Sequence, residues 1–192
     1  MRVPEDMPGG KEFTDLFTER LRLRRFEPGD AEAFFAYRSD PGVMRFQSWK
    51  PRDVEEMRRF IAGQAGLAPD TPDSWFQLAV CLREGGELIG DCGLHFPLHE
   101  SWQAEIGYTI APRRQRRGYG LEAVRALLDY LFTGLSKHRV YASLDPRNRA
   151  SVALLERLGM RREACFKASV PEGGGWADDA VYALLAEEYH RD

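Results

Sequence analysis

The sequence predicts a mixed α/β fold in one domain, and three observations carry that prediction. Runs with period-two hydrophobicity alternate with runs of period 3.6, which is the signature of strands and amphipathic helices in one chain. At 192 residues the length is that of an ordinary domain with a core of its own. No repeat, low-complexity linker or composition break divides the stretch from about residue 18 onward, so the expected organisation is a loose arm over 1–17 and one domain over 18–192.

Each element follows from its local pattern. "RLRLRRF" alternates Leu21 and Leu23 with arginines and reads as a strand with one buried face. "PGDAEAFFAYRSDPGV" offers Asp30 as a helix N-cap, Ala33, Phe34 and Tyr37 as inward residues, and a stop at Pro41 and Gly42. A second helix is expected from Asp53 to Ala65 on the apolar stripe of Val54, Met57, Phe60 and Ile61. Two strands joined through "REGGEL" follow, then the strand "QAEIGYTI", which ends where Pro112 stops the ladder. The period then switches, with Leu121, Val124, Leu127, Leu128, Leu131 and Phe132 on one helix face that ends near Gly134. "RVYASLD" is a strand, "NRASVALLERLG" a short helix stopped by Gly159, and the stretches around "REACFKA" and "WADDAVYALL" a closing strand pair. Antiparallel and parallel parts are therefore mixed in about seven strands and about four helices.

Composition excludes several classes of function. The 27 Lys plus Arg against 30 Asp plus Glu give a net charge of -3, without the basic excess of a general nucleic-acid binder. Cys81, Cys92 and Cys165 are widely spaced with no CxxC pairing, as befits reduced cytoplasmic thiols. Nowhere do about 18 apolar residues run together, so no membrane span is expected. His95 and His99 lie four apart, but Pro97 between them argues against a helical ligand pair, and no metal site is predicted.

The stretch "APRRQRRGYGLEA" puts a Gly-rich turn directly before a helix. Unpaired backbone N–H groups at the positive end of a helix dipole bind phosphate. Gly118 and Gly120 let a ligand approach the main chain, and Arg113, Arg114, Arg116 and Arg117 can add charge around it. The spacing fits neither a Walker loop nor the dinucleotide fingerprint. A plain helix start with solvated arginines is the competing reading.

Taken together, "TERLRLRRF", "EIGYTIAPRRQRRGYGLEAVRALLDYLF" and "NRASVALLERLGM" resemble the GNAT superfamily of acyl-CoA-dependent N-acyltransferases, most closely the ribosomal-protein alanine N-acetyltransferase group, over about residues 18–188. The resemblance implies a mostly antiparallel central sheet whose splayed strands form an acyl-CoA cleft. It implies acetyl-CoA as cosubstrate, its diphosphate cradled by Arg113, Gln115, Arg116, Arg117, Gly118, Tyr119 and Gly120. Ile110 would present its backbone N–H near the thioester carbonyl, where an oxyanion donor is needed. Asn148 would hydrogen-bond the pantetheine amide and Ser151 protonate the departing thiolate. Both also fit an ordinary helix N-terminus, with Asn148 as its cap. Tyr108 and Tyr141 are the alternative proton donors. Glu105, on the strand before the turn, is the candidate base, with a solvated outer-face acid as the competing reading. Glu122 fits a dipole-stabilising acid in the first turn. Phe46 and Trp49 fall where this fold shapes its acceptor cleft; Phe96 and Trp102 are aromatic neighbours of the histidine loop.

The function so implied is direct acetyl transfer to a primary amine, whether a peptide N-terminus or a small molecule. An aminoglycoside-type antibiotic as acceptor, with "PEGGGWADDA" supplying an acidic wall, and a silent acyl-CoA-binding module remain as alternatives. Expected partners are the amine acceptor and a second copy in a homodimer, with neither nucleic acid nor membrane.

Overall fold

The computed structural model describes residues 13–189. Alternation builds the first strands: Leu21 and Leu23 of β2 (Leu21–Arg25) are fully buried, while Arg22 faces water and pairs with Asp15. A two-residue strand, β1 (Leu16–Phe17), pairs with β2 ahead of the expected start at Thr18. Residues 1–12 of the anticipated arm lie outside the described residues. Phe13 is buried, with its ring edge-on to Phe76 and Tyr130, so apolar packing begins earlier than the Pro/Gly-rich composition predicts.

The sheet has eight strands in the order β1-β2-β3-β4-β5-β6-β8-β7. Its members are β3 (Ser74–Leu82), β4 (Leu88–Phe96), β5 (Gln103–Ile110), β6 (Arg139–Leu144), β7 (Arg161–Glu172) and β8 (Gly175–Leu185). All neighbours pair antiparallel except β5 and β6. That parallel pair requires a crossover, and α4 (Tyr119–Asp129) supplies it, its last turn widening into a π-helix at Tyr130–Gly134.

The pleat divides the core between two faces. Leu78, Leu94, Ile106, Val140 and Tyr182 meet Val124, Leu127 and Leu128 of α4 and Leu155 of α5 (Arg149–Arg157) on one face. Ala79, Cys81 and Ala111 meet α1 (Ala31–Arg38) and α3 (Val54–Gln64) on the other. Asp53 caps α3 by accepting the Glu56 N–H at 2.8 Å.

The first helix departs from its sequence pattern. Asp30 precedes α1 but its side chain makes no cap bond; it takes the guanidinium of Arg24 at 2.7 and 2.9 Å and the Glu27 N–H. Arg24 is buried, and a buried charge needs a counter-ion more than a helix end needs a cap. Ala31, Phe34 and Tyr37 face inward, whereas Ala33 is exposed. Pro41 and Gly42 do not merely stop the chain; with Asp40 as cap they open a further turn, α2 (Pro41–Met44).

Candidate acyl-transfer site

The parallel pairing of β5 with β6 is short. Gln103, Ala104 and Glu105 face Arg139, Val140 and Tyr141, and beyond that last pair the strands part while β6 continues beside β8 to Leu144. The opening is a cleft of about 660 Å³ walled by Ile106, Gly107 and Tyr108 on one side and Ala142, Ser143 and Leu144 on the other. Asn148, Ser151, Phe46, Gln47 and Trp49 also line it.

Splaying turns backbone groups of β5 into the gap. The Ala111 N–H donates to the Ile89 carbonyl at 2.8 Å, which turns the odd-numbered β5 amides toward β4 and the even-numbered ones, Tyr108 and Ile110, toward the gap. Tyr108 lines the cleft; Ile110 lies nearer the turn. The sequence reading selected Ile110 and missed the amide of Tyr108. Burial pushes the Tyr108 phenol above its ordinary range, and its hydroxyl donates to the Ser151 carbonyl at 3.3 Å.

Gly118 adopts a left-handed backbone (φ 83°) as the N-cap of α4. The first-turn amides of α4 therefore have no capping side chain. Arg20, which no sequence pattern marked, braces this corner: its guanidinium lies 4.6 Å above the Tyr119 ring and donates to the Arg117 carbonyl at 3.1 Å. Glu122 sits in the first turn as expected and also binds the Thr18 hydroxyl and the Arg20 N–H, fixing α4 to the start of β2. Gln115 donates to the Ile110 carbonyl at 2.8 Å, so its side chain secures the turn to β5. Arg114 is committed to Glu87, with Arg113 at the rim of that pair at 3.6 Å. Arg116 and Arg117 are exposed and make no ion pair among the described residues.

Asn148 caps α5, its Oδ1 accepting from the Ser151 N–H at 3.2 Å, and both residues line the cleft. Glu105 stands at the apex where the strands diverge, partly buried beside its β4 register partner His95. Burial raises its carboxyl pKa above the ordinary value; a Tyr141 hydrogen bond works against that and nearby Asp179 adds to it. Burial likewise pushes the Tyr141 phenol up to about 12. Trp49 donates to Glu56 at 3.1 Å and packs on Phe60, half core and half cleft. Phe96 is core, and Trp102 is exposed outside the cleft.

Two features of this face escaped the sequence reading. Asp91 is fully buried and accepts from Tyr37, Arg38 and Gln77, pinning α1 to the cleft floor. Trp75 lies flat over Gly93 and Gly107, and glycine inside neighbouring strands was the available signal for such close approach. A Cβ on Gly93 would lie 2.7 Å from the Gln77 Oε1 and 2.9 Å from the Trp75 ring. Gly93→Ala is expected to displace the indole, shift its fluorescence and destabilise the fold by about 1–3 kcal/mol in denaturant titration.

Among the described residues no group of three or more His, Cys, Asp or Glu could hold a metal, and no helix is long and apolar enough to cross a membrane. Residues 20–161 match the acetyltransferase (GNAT) domain family. The chain is 34% identical over 175 residues to the uncharacterized N-acetyltransferase YnaD of Bacillus subtilis (strain 168), covering 91% of this chain and 99% of that protein. It is 31% identical over 179 residues to the ribosomal protein uS5-alanine N-acetyltransferase of Escherichia coli (strain K12), covering 91% and 92%. The crystal structure of an acetyltransferase (GNAT family) from Bacillus anthracis is similar with a TM-score of 0.82 at 34% identity, covering 91% of this chain and all of that one (100%).

Proposed function

The chain belongs to the GNAT acetyltransferase family, and from that premise we infer that it moves an acetyl group from acetyl-CoA directly to the primary amine of an acceptor held in the same cleft. The observation that carries this reading is the alignment of two features: β5 and β6 part after Glu105 and Tyr141, and β5 then runs into the turn at Gly118. The donor set suits the cosubstrate. Main-chain amides from Gly118 onward and the unpaired guanidiniums of Arg116 and Arg117 suit a diphosphate, and the gap beyond Glu105 suits an extended amide-bearing arm.

Bound acetyl-CoA supplies an activated acetyl thioester. Tyr108 and Ile110 direct N–H groups into the gap, where charge developing on a carbonyl oxygen is stabilised. Asn148 holds the arm, and the Ser151 hydroxyl delivers a proton to the thiolate. Glu105 removes the proton from the attacking amine; burial makes its carboxylate a better base than a solvated one. The cysteines have no part in the step. Cys81 and Cys92 are buried, with thiols raised by desolvation, that of Cys81 to about 11. Their unpaired state supports a reducing, cytoplasmic setting.

The charges at the cleft favour an acceptor with one amine. Asp145 and Glu172 pair with Arg147, and Asp178 with Lys167, while Arg45 and Lys50 also line the cleft. Asp179, held by the Ser143 hydroxyl at 2.6 Å, has no cationic partner among the described residues. That balance supports a peptide α-amine over a polycationic antibiotic, in keeping with the ribosomal-protein alanine named for the Escherichia coli relative. A transfer screen over peptide N-termini, polyamines and aminoglycosides tests this, with peptides expected to turn over fastest. Calorimetric titration with acetyl-CoA should show binding that weakens several-fold as salt is raised, since Arg116 and Arg117 are solvent-exposed. Absence of binding would remove the reading altogether.

A further inference from the structure

We propose that His95 is a positioning residue for Glu105 that also accepts the acceptor's proton from it and releases that proton to solvent. The inference rests on Glu105 being the base and adds to it a route by which the base is reset. His95 and Glu105 face each other across β4 and β5, with Nδ1 3.7 Å from the carboxylate Oε2. Among the described residues, His95 Nδ1 is the buried side-chain polar atom left without a hydrogen-bond partner. Burying such an atom unpaired costs free energy, so its placement beside a half-buried carboxylate calls for a use. The other ring nitrogen, Nε2, does not belong to that buried set and has no partner among the described residues, which leaves it to water. Trp75 stacks on the imidazole at 5.1 Å and 23°, fixing the ring plane so that one nitrogen faces inward and one outward.

Three further groups surround the pair: Tyr141, Asp179 and Arg139. Tyr141, the register partner of Glu105 on β6, lowers the Glu105 pKa against the effect of burial, and burial raises the Tyr141 phenol's own pKa. Asp179 on β8 adds negative charge, and Arg139 lies over the Tyr141 ring at 5.0 Å, engaged with Glu163. A small rotation of the carboxyl closes 3.7 Å to hydrogen-bonding distance. The acceptor's N–H bond breaks as an O–H forms on Glu105. That O–H breaks as N–H forms at His95 Nδ1, and the Nε2–H is surrendered to water. One proton enters and one leaves; both side chains return to their starting charge, and exchange with water converts the resulting Nδ1–H imidazole back to the Nε2–H form before the next turnover. Imidazole, with one ring nitrogen that accepts a proton while the other donates one, suits this passage.

The test compares wild type, His95→Gln, His95→Asn and Glu105→Gln in steady-state acetyl transfer across pH, with and without added imidazole. In the His95 variants kcat is expected to fall about tenfold, with KM for acetyl-CoA unchanged and the acid limb of the pH profile displaced. Added imidazole should restore kcat to within about twofold of wild type, a recovery that a structural role for His95 would not give. Wild-type turnover in both His95 variants, or a loss that imidazole leaves untouched, overturns the relay. If in that case Glu105→Gln is still impaired, the base assignment survives alone; full turnover in Glu105→Gln overturns both.

Discussion

Glu105→Gln is expected to lower kcat by about 10²–10³-fold while acetyl-CoA affinity stays within about twofold. Glutamine preserves the size of the side chain, so what is lost is the capacity to take a proton. The effect should depend on pH, because an amine acceptor carries its own proton at neutrality. As the free-amine fraction grows in alkali, the variant should recover part of its deficit. Stability should move in the opposite direction to activity. Burial raises the Glu105 pKa, so between the ordinary and the raised value the folded protein binds more protons than the unfolded chain. Folding stability from this group therefore falls as pH climbs through that window. Glu105→Gln should melt slightly higher than wild type above the raised pKa, and the difference should vanish below the unfolded one. Equal melting at every pH would show that the carboxylate is not held in a desolvated place.

Local signals recovered most of the fold because the elements are locally consistent. The α4 stripe of Val124, Leu127 and Leu128 is buried as its spacing requires, and the paired glycines Gly85 and Gly86 turn the β3–β4 hairpin in left-handed conformations. Errors fell where a distant partner outbid a local preference. Asp30 has the sequence of a cap but is recruited by Arg24, a residue whose burial no alternation reveals. The V between β5 and β6 is a non-local property. Nothing in "QAEIGYTI" or "RVYASLD" states that pairing stops at Glu105 and Tyr141. The candidate residues Asn148, Ser151, Phe46 and Trp49 were legible by resemblance and do converge on one cleft. Arg20, Trp75 and the Asp91 network were not, since each acts across the sheet or from a remote segment. Gly93 and Gly107 offered the one hint, two small residues in strand interiors with no turn to explain them.

Gly118→Val is expected to weaken acetyl-CoA binding by at least about 100-fold, for two reasons that act at the same atom. At φ 83° a β-branched residue clashes with its own backbone, which forces the turn toward a conformation in which the α4 amides no longer converge. An added Cβ would also stand 3.2 Å from the Arg20 Nη2, disturbing the guanidinium that braces Tyr119 and the Arg117 carbonyl. Since Gly118 is exposed, little core packing is lost, and a melting temperature within several degrees of wild type should accompany the binding defect. Gly86→Val provides the control. Gly86 has a comparable left-handed backbone at φ 68°, with no atom within 4 Å of a built Cβ, and it lies in the β3–β4 turn away from the cleft. Both variants carry the backbone strain, so calorimetry separates strain from ligand approach. Loss of affinity in Gly118→Val alone places the diphosphate on the α4 amides, whereas equal affinities would mean that the cosubstrate is held without them.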